Sequence, residues 1–425
     1  MKELSLNDHN HNQKFNGLHE FFWGLGSAFH TVYAVVPLFL KQLGSPEAVA
    51  VSSAGIFSIL IAMPMLITAT LSRNIVNLKK AIMGVHCLIL IVSFFMGYTF
   101  SFSSLGISSG AWKIYFFFFI LYGLSIGIIV PIWADFLDKT TIKSRRGKFF
   151  GVGFAFNSLG GFIGGIILQY LLKTNVPFPN NFGYGFFILF ISLTIGTILF
   201  YFYIEKTRVS SSKKKSYSQF KIETKQIINS HSNFHKYLFS RIFYCATLPA
   251  MGLYAIYCQN KFNFDISEAG LFTVLNVTSM GVASYIFGVV GDKHGHKISM
   301  VIAYSFHLLA VVLAINAKNM FWVYGIFISI GAGQGSFMPS AMNLIYDFAG
   351  ERDKKTYMAL IDSFLAPFAL IFILGIGSLV NKDAYLMSFY ILGFCLLIAI
   401  IILQFFVKDP KDNTNQIISE DRFSS

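Results

Sequence analysis

Twelve long apolar runs organise this chain, and they constrain its fold more than anything else in the sequence. They fall at about 19–41, 47–71, 81–101, 113–136, 148–173, 183–204, 237–259, 267–290, 298–317, 320–345, 357–380 and 384–407. At 1.5 Å per helical residue, each is long enough to cross roughly 30 Å of hydrocarbon. Only 12% of the 425 residues are charged and 55% are hydrophobic, against roughly a quarter charged in soluble domains. A soluble globular enzyme, a disordered chain and a disulfide scaffold are thereby excluded. Short alternating strands of the kind that close an outer-membrane barrel are missing from the pattern. The reading is an all-α, polytopic membrane protein.

The net charge of +13 would suggest nucleic acid in a soluble protein, but its distribution gives another answer. With both termini placed in the cytoplasm, the outer side keeps only Lys41, Lys113, Lys173, Lys261, Lys318 and Lys382 of the 33 Lys and Arg. The positive-inside rule then orients both termini to the cytoplasm of a plasma (inner) membrane. Cys87, Cys245, Cys258 and Cys395 all fall inside runs, where cysteine acts as a small apolar packing residue; no disulfide framework follows. His9 and His11 in the polar start are too few to predict a metal site, and no cofactor is expected. Residues 1–18 are expected to be a polar cytoplasmic tail without the apolar core of a signal peptide.

A polar stretch at 205–236, including Ser210–Ser212 and Lys213–Lys215, divides the runs six and six. The expected organisation is a tail at 1–18, a six-helix bundle at 19–204, a cytoplasmic linker at 205–236, a second bundle at 237–407 and a tail at 408–425. A weak repeat joins the halves. Gly123, Gly127 and Pro131 in run four stand at i, i+4, i+8, and Gly331, Gly335 and Pro339 in run ten do the same. All three pairs share one offset of 208 residues. Two glycines four apart allow a neighbouring helix to approach closely. The proline removes a helix hydrogen bond and permits a bend. Duplication of a six-helix unit is the expectation.

After run eight comes Gly288, then Gly291, Asp292, Lys293, Gly295, His296 and Lys297. A glycine, an acid four residues on, a base, a second glycine and a basic end resemble the signature loop of the major facilitator superfamily. Joined to twelve runs and parallel repeats, the resemblance covers nearly the whole chain. His296 stands where the family usually has arginine. The resemblance implies two pseudo-symmetric six-helix bundles. It also implies that Gly288, Asp292, Lys293, Gly295 and Lys297 form a cytoplasmic gate motif. There Asp292 would cap a helix of the opposite half, run five, preceded by Arg145 and Arg146. An offset of 219 sets Arg73 opposite Asp292, with Glu351 and Asp353 facing it from before run eleven, as an inverted second latch.

Ionisable groups at membrane depth are functional candidates. Asp362, about two turns into run eleven, and Glu20, near the inner end of run one, are the coupling candidates. In the superfamily, runs one, four, seven and ten line the central cavity. That carries His30, Tyr33, Tyr122, Arg241, Tyr244, Tyr254 and Gln334 over as substrate-cavity candidates, with Asn157, Asn276 and Asn343 as second choices. Snorkelling is the alternative for Glu20 and Arg241; His86 and His307 are expected to pack. Two departures bear on proton antiport. Phe119 stands where antiporters of this superfamily carry arginine, and Gly160, Gly161, Gly164 and Gly165 carry no proline of the antiporter motif. The expected function is a monomeric secondary transporter for a small organic solute, with or without a coupling proton. The alternative is a transporter-like receptor or assembly partner that moves nothing. No nucleophile–base set or phosphate loop points to an enzyme.

Overall fold

The computed structural model describes residues 4–72, 75–142, 145–205, 232–349 and 354–409. Among the described residues, twelve helical segments follow one another: α1 (Leu6–Gln42), α2 (Glu47–Leu71), α3 (Leu78–Phe102), α4 (Ala111–Thr140), α5 (Arg146–Lys173), α6 (Asn180–Phe202), α7 (Ser232–Phe262), α8 (Glu268–His294), α9 (His296–Asn316), α10 (Met320–Ala349), α11 (Lys354–Val380) and α12 (Tyr385–Phe406). Ten are both long and apolar enough to cross a membrane. Segments α10 and α11, of 30 and 27 residues, have the length to do so. The chain is a multi-pass integral membrane protein. It divides into two compact units. One contains α1–α6 together with Met251–Thr278. The other contains Ser212–Ala250 and everything after Thr278.

The polar start behaves differently from a tail. Segment α1 begins at Leu6, where a capping box fixes it: the Asp8 N–H donates to Ser5 Oγ and the Ser5 N–H to Asp8 Oδ2, both at 3.1 Å. Its polar residues then turn inward. Asn12 donates to the carbonyls of Thr140 and Ile204 at 2.9 Å and accepts the Ile204 N–H at 2.8 Å. Hydropathy alone places the run's start at residue 19, because it cannot register polar groups that find partners inside a bundle. His9 accepts the Ile142 N–H, and His11 pairs with the Phe202 carbonyl, so both histidines are taken up by helix ends. Glu205 closes the same unit, accepting the Leu78 and Lys79 N–H groups at the start of α3 at 3.0 and 2.9 Å. A carboxylate is well placed there, opposite unpaired N–H groups and the positive end of the dipole.

Small residues set the helix crossings. On α5, a Cβ at Gly160 or Gly164 would overlap the backbone of α1 at Phe21 or Leu25. One at Gly161 or Gly165 would meet Val277 or Val274, in the part of α8 that belongs to the same unit. The four glycines thus form two i, i+4 faces, one for each neighbour.

The repeat is also visible as packing. Gly127 on α4 lies against the Ile61 carbonyl of α2, and Gly335 on α10 against the Met280 carbonyl of α8. The glycines are 208 residues apart and their partners 219. Both offsets are those read from the sequence, now joined in one crossing made twice. Pro131 and Pro339 lie within their helices. Among their fellow packing glycines, Gly123 abuts Leu60 and Phe57, and Gly331 is buried.

A second duplication interrupts the first helix of each half. Segment α1 is helical over Leu6–Ser27 and Val35–Gln42, and α7 over Ser232–Tyr244 and Thr247–Phe262. In each, the third residue after the break is proline, Pro37 or Pro249. Its missing N–H falls in a first turn, where no intrahelical partner exists. Thr31 Oγ1 accepts the Val35 N–H at 3.1 Å, and Thr247 Oγ1 donates to the Tyr244 carbonyl at 2.8 Å.

Candidate functional site

In the first unit, a stripe on α1 carries Asn12, Asn16, Glu20 and Gly24, each four residues from the last. Glu20 is only 8% exposed, so its carboxylate does not snorkel. Its Oε2 accepts from Asn157 Nδ2 on α5 at 3.0 Å. Asn16 Oδ1 accepts from the buried Tyr203 hydroxyl at 3.2 Å. Gly24 lets the Asn157 backbone come against α1, and Gly153 leaves room for Asn16 and Glu20. The i, i+4, i+8 spacing of two amides and an acid was the sequence signal for this cluster. Among the described residues, Glu20 makes no ion pair; an amide and its surroundings hold it. Asp362 lies on α11, with its side chain outside the described residues. Arg73, Glu351 and Asp353, the expected second latch, are also outside them, as is most of the 205–236 linker.

His30 occupies the 3₁₀ turn at the α1 break. Rings enclose it: Tyr122 at 4.4 Å between centroids, Phe119 at 5.9 Å and Tyr115 at 6.0 Å. Its Nε2 bonds the Tyr115 hydroxyl at 3.0 Å, while Nδ1 is buried and has no hydrogen-bond partner. Whichever tautomer is present, one ring nitrogen stays unsatisfied by protein. An unpaired buried polar group of this kind costs about 1–3 kcal/mol. Tyr33 lies buried just after this turn, beside Thr273, which in turn approaches Thr31 Oγ1 at 3.4 Å. Tyr254 is buried on the second part of α7, in the same unit. The structure therefore joins His30 and Tyr122, with Tyr115 and Phe119 added from α4.

In the second unit, Tyr237, Arg241 and Tyr244 share one face of α7, at i, i+4 and i+7. Arg241 lies about 14 Å along the helix from Ser232 at 1.5 Å per residue. Its Nη1 donates to the Tyr237 hydroxyl at 3.1 Å. The guanidinium carbon lies 4.7 Å from the centre of the Phe337 ring and 5.9 Å from those of Tyr237 and Tyr244. Tyr244 is itself stacked between Tyr304 at 4.2 Å and Phe337 at 4.8 Å. His307, expected only to pack, meets Tyr244 edge-on at 5.6 Å, and its Nε2 is buried without a hydrogen bond. Three ring faces stabilise the cation by about 0.5–2 kcal/mol each at most. Removing a guanidinium from water costs several kcal/mol, a cost the rings offset without supplying a counter-charge. Gln334 stands on α10 one turn before Phe337, half-buried.

The segment expected to form the gate motif is a tight turn. Gly295 has φ +92°, a conformation that side chains rarely adopt. It abuts the Asp409 carboxylate. Asp292 Oδ1 lies 3.6 Å from His296 Nε2, four residues on and across the turn. Lys297 Nζ donates to the Gln404 carbonyl at 2.9 Å. Asn233 and Lys408 exchange two hydrogen bonds of 2.8 Å between side-chain amide and backbone. The end of α12 is therefore fastened beneath the motif and to the start of α7. Gly288 has open space around it, and Lys293 is exposed.

Comparison with known proteins agrees with this architecture. Residues 237–424 match the model of the Major Facilitator Superfamily. A POT family transporter solved with 5-aminolevulinic acid superposes with a TM-score of 0.73 over 93% of this chain and 96% of its own, at 14% identity. A D-xylose-proton symporter gives 0.71 over 94% and 98%, at 15%. The nucleoside transporter NupG gives 0.68 over 93% and 100%, at 11%. Protein spinster homolog 1 of Xenopus laevis is 27% identical over 127 residues, which is 29% of this chain and 23% of that one. The second half thus matches the superfamily by sequence, and the chain shares its fold with these solved structures along its length. Relatives of this fold include transporters, one of them a proton symporter by name.

Proposed function

We propose that the chain is a secondary transporter that carries a small organic solute across the cytoplasmic membrane by alternating access, with both termini cytoplasmic. The observation that carries this reading is the pair of interrupted helices. Segments α1 and α7 break at matching places, and each break sits beside a buried nitrogen that finds no hydrogen-bond partner among the described residues: His30 Nδ1 and Arg241 Nε. Discontinuous helices that expose polar groups at membrane depth are how transporter folds build substrate and ion sites.

Coupling to protons is assigned to Glu20. It is buried, acidic and held by a neutral amide, so its proton can change without breaking an ion pair. Asp362 is the second coupling position. The gate motif, Gly288 to Lys297, would bias the cytoplasmic side, since a ligand or a charge shifts states only through its differential affinity for them. Purified protein in proteoliposomes tests the reading. Counterflow of a solute found by thermal-shift screening is the expected result, and Glu20→Gln should abolish pH-gradient-driven uptake while sparing counterflow. Saturable binding without flux in either assay would favour a receptor. Unimpaired gradient-driven uptake by the variant would remove Glu20 from coupling.

A further inference from the structure

The geometry points to Arg241 as the receptor for an oxyanion, so that the solute bears a carboxylate or phosphate group attached to an apolar body. This rests on the transporter reading and narrows its substrate class. The rings of Phe337, Tyr237 and Tyr244 surround the guanidinium, and faces covered by rings accept no hydrogen-bonding ligand. What remains is the in-plane edge. There Nε is buried with no hydrogen-bond partner among the described residues, whereas Nη1 is taken by Tyr237. Among the described residues Arg241 makes no ion pair. A planar fork of N–H donors matches two oxygens of a carboxylate or phosphate. A neutral carbonyl would satisfy one donor and leave the charge uncompensated. His307, which meets Tyr244 edge-on, has a buried Nε2 with no hydrogen-bond partner among the described residues and would offer a second polar contact. The Tyr304–Tyr244–Phe337 stack presents the apolar wall along which the rest of the solute would lie.

The test uses the full chain in detergent and compares matched probes by thermal shift and titration: 3-phenylpropionate, phenyl phosphate, inorganic phosphate and the neutral 3-phenylpropanamide. Phosphatidylglycerol and phosphatidylcholine are added separately to the micelles. An anionic probe is expected to bind at least about tenfold more tightly than the amide, a difference of ~1.4 kcal/mol. Arg241→Gln should remove that preference, and Arg241→Lys should keep part of it. Stabilisation by phosphatidylglycerol alone would support the site and identify the oxyanion as a lipid headgroup. Equal affinity for acid and amide would overturn the inference. So would an unchanged preference in a folded Arg241→Gln variant, or silence from every probe. Counterflow separates the two levels: flux of a neutral solute that ignores Arg241→Gln keeps the transporter and rejects the oxyanion. Anion binding without flux does the reverse.

Discussion

The buried polar groups of the first unit are bonded mostly to each other, whereas the cation of the second is held mostly by rings. Glu20 has Asn157, Asn16 has Tyr203, and Asn12 binds two carbonyls and an N–H. Arg241 has one hydroxyl and three ring faces. A hydrogen-bonded polar cluster fixes positions and leaves little for a ligand to add. Rings cover a cation without neutralising it, so the charge is still able to gain from an arriving anion. His30 stands between these cases, with one ring nitrogen bonded and the other not.

The largest expected effects test whether the halves are comparable at all. Gly127→Val and Gly335→Val each push a side chain into a carbonyl of the crossing helix and should cost about 3 kcal/mol, measured as lost melting temperature in detergent. Similar losses would show that the copied crossings carry similar weight; a large effect at one alone would break the symmetry. Gly84, with open space around it, is the control, and Gly84→Ala should stabilise by about 0.5–1 kcal/mol.

Next comes the contrast itself. Asn157→Leu leaves the buried Glu20 carboxylate without its amide donor and should destabilise by about 1.5–3 kcal/mol. Tyr237→Phe removes only one bond from a ring-held cation and should cost about 1 kcal/mol. Equal losses from the two variants would abolish the distinction between the bonded and the ring-held charge. Tyr115→Phe strips the partner from His30 Nε2 and should cost about 0.5–1.5 kcal/mol; restoration by a bound solute would sharpen the assignment of His30 to the site. The smallest effect is expected of Glu205→Gln, about 0.5 kcal/mol, vanishing at high salt because a dipole interaction at a helix end is screened.

Much of the fold was legible in the sequence. Apolar runs gave the spans, and the glycine–proline spacing in α4 and α10 pointed to a duplicated packing that Gly127 and Gly335 perform. Hydropathy missed residues 6–18 of α1, since it scores Asn12 and Asn16 as polar without knowing that Ile204, Thr140 and Tyr203 would meet them. The helix breaks were not anticipated: Pro37 and Pro249 stand at them, but proline alone does not say whether a helix bends or stops. Site residues were read from their segments, which identifies His30, Tyr122, Arg241 and Tyr244 but not their companions. Tyr115, Tyr304 and Phe337 come from other helices, and no local spacing links them to the residues they touch. Tyr237 was within reach, one turn before Arg241 on the same face.

The fastening beneath the gate motif has a practical side. Gln404, Lys408 and Asp409 give the signature turn and the first residues of α7 their neighbours, so the last turn of the bundle acts as a hasp closed over its own hinge plate. Shortening the chain to residue 403 would unfasten Lys297 and Asn233 together.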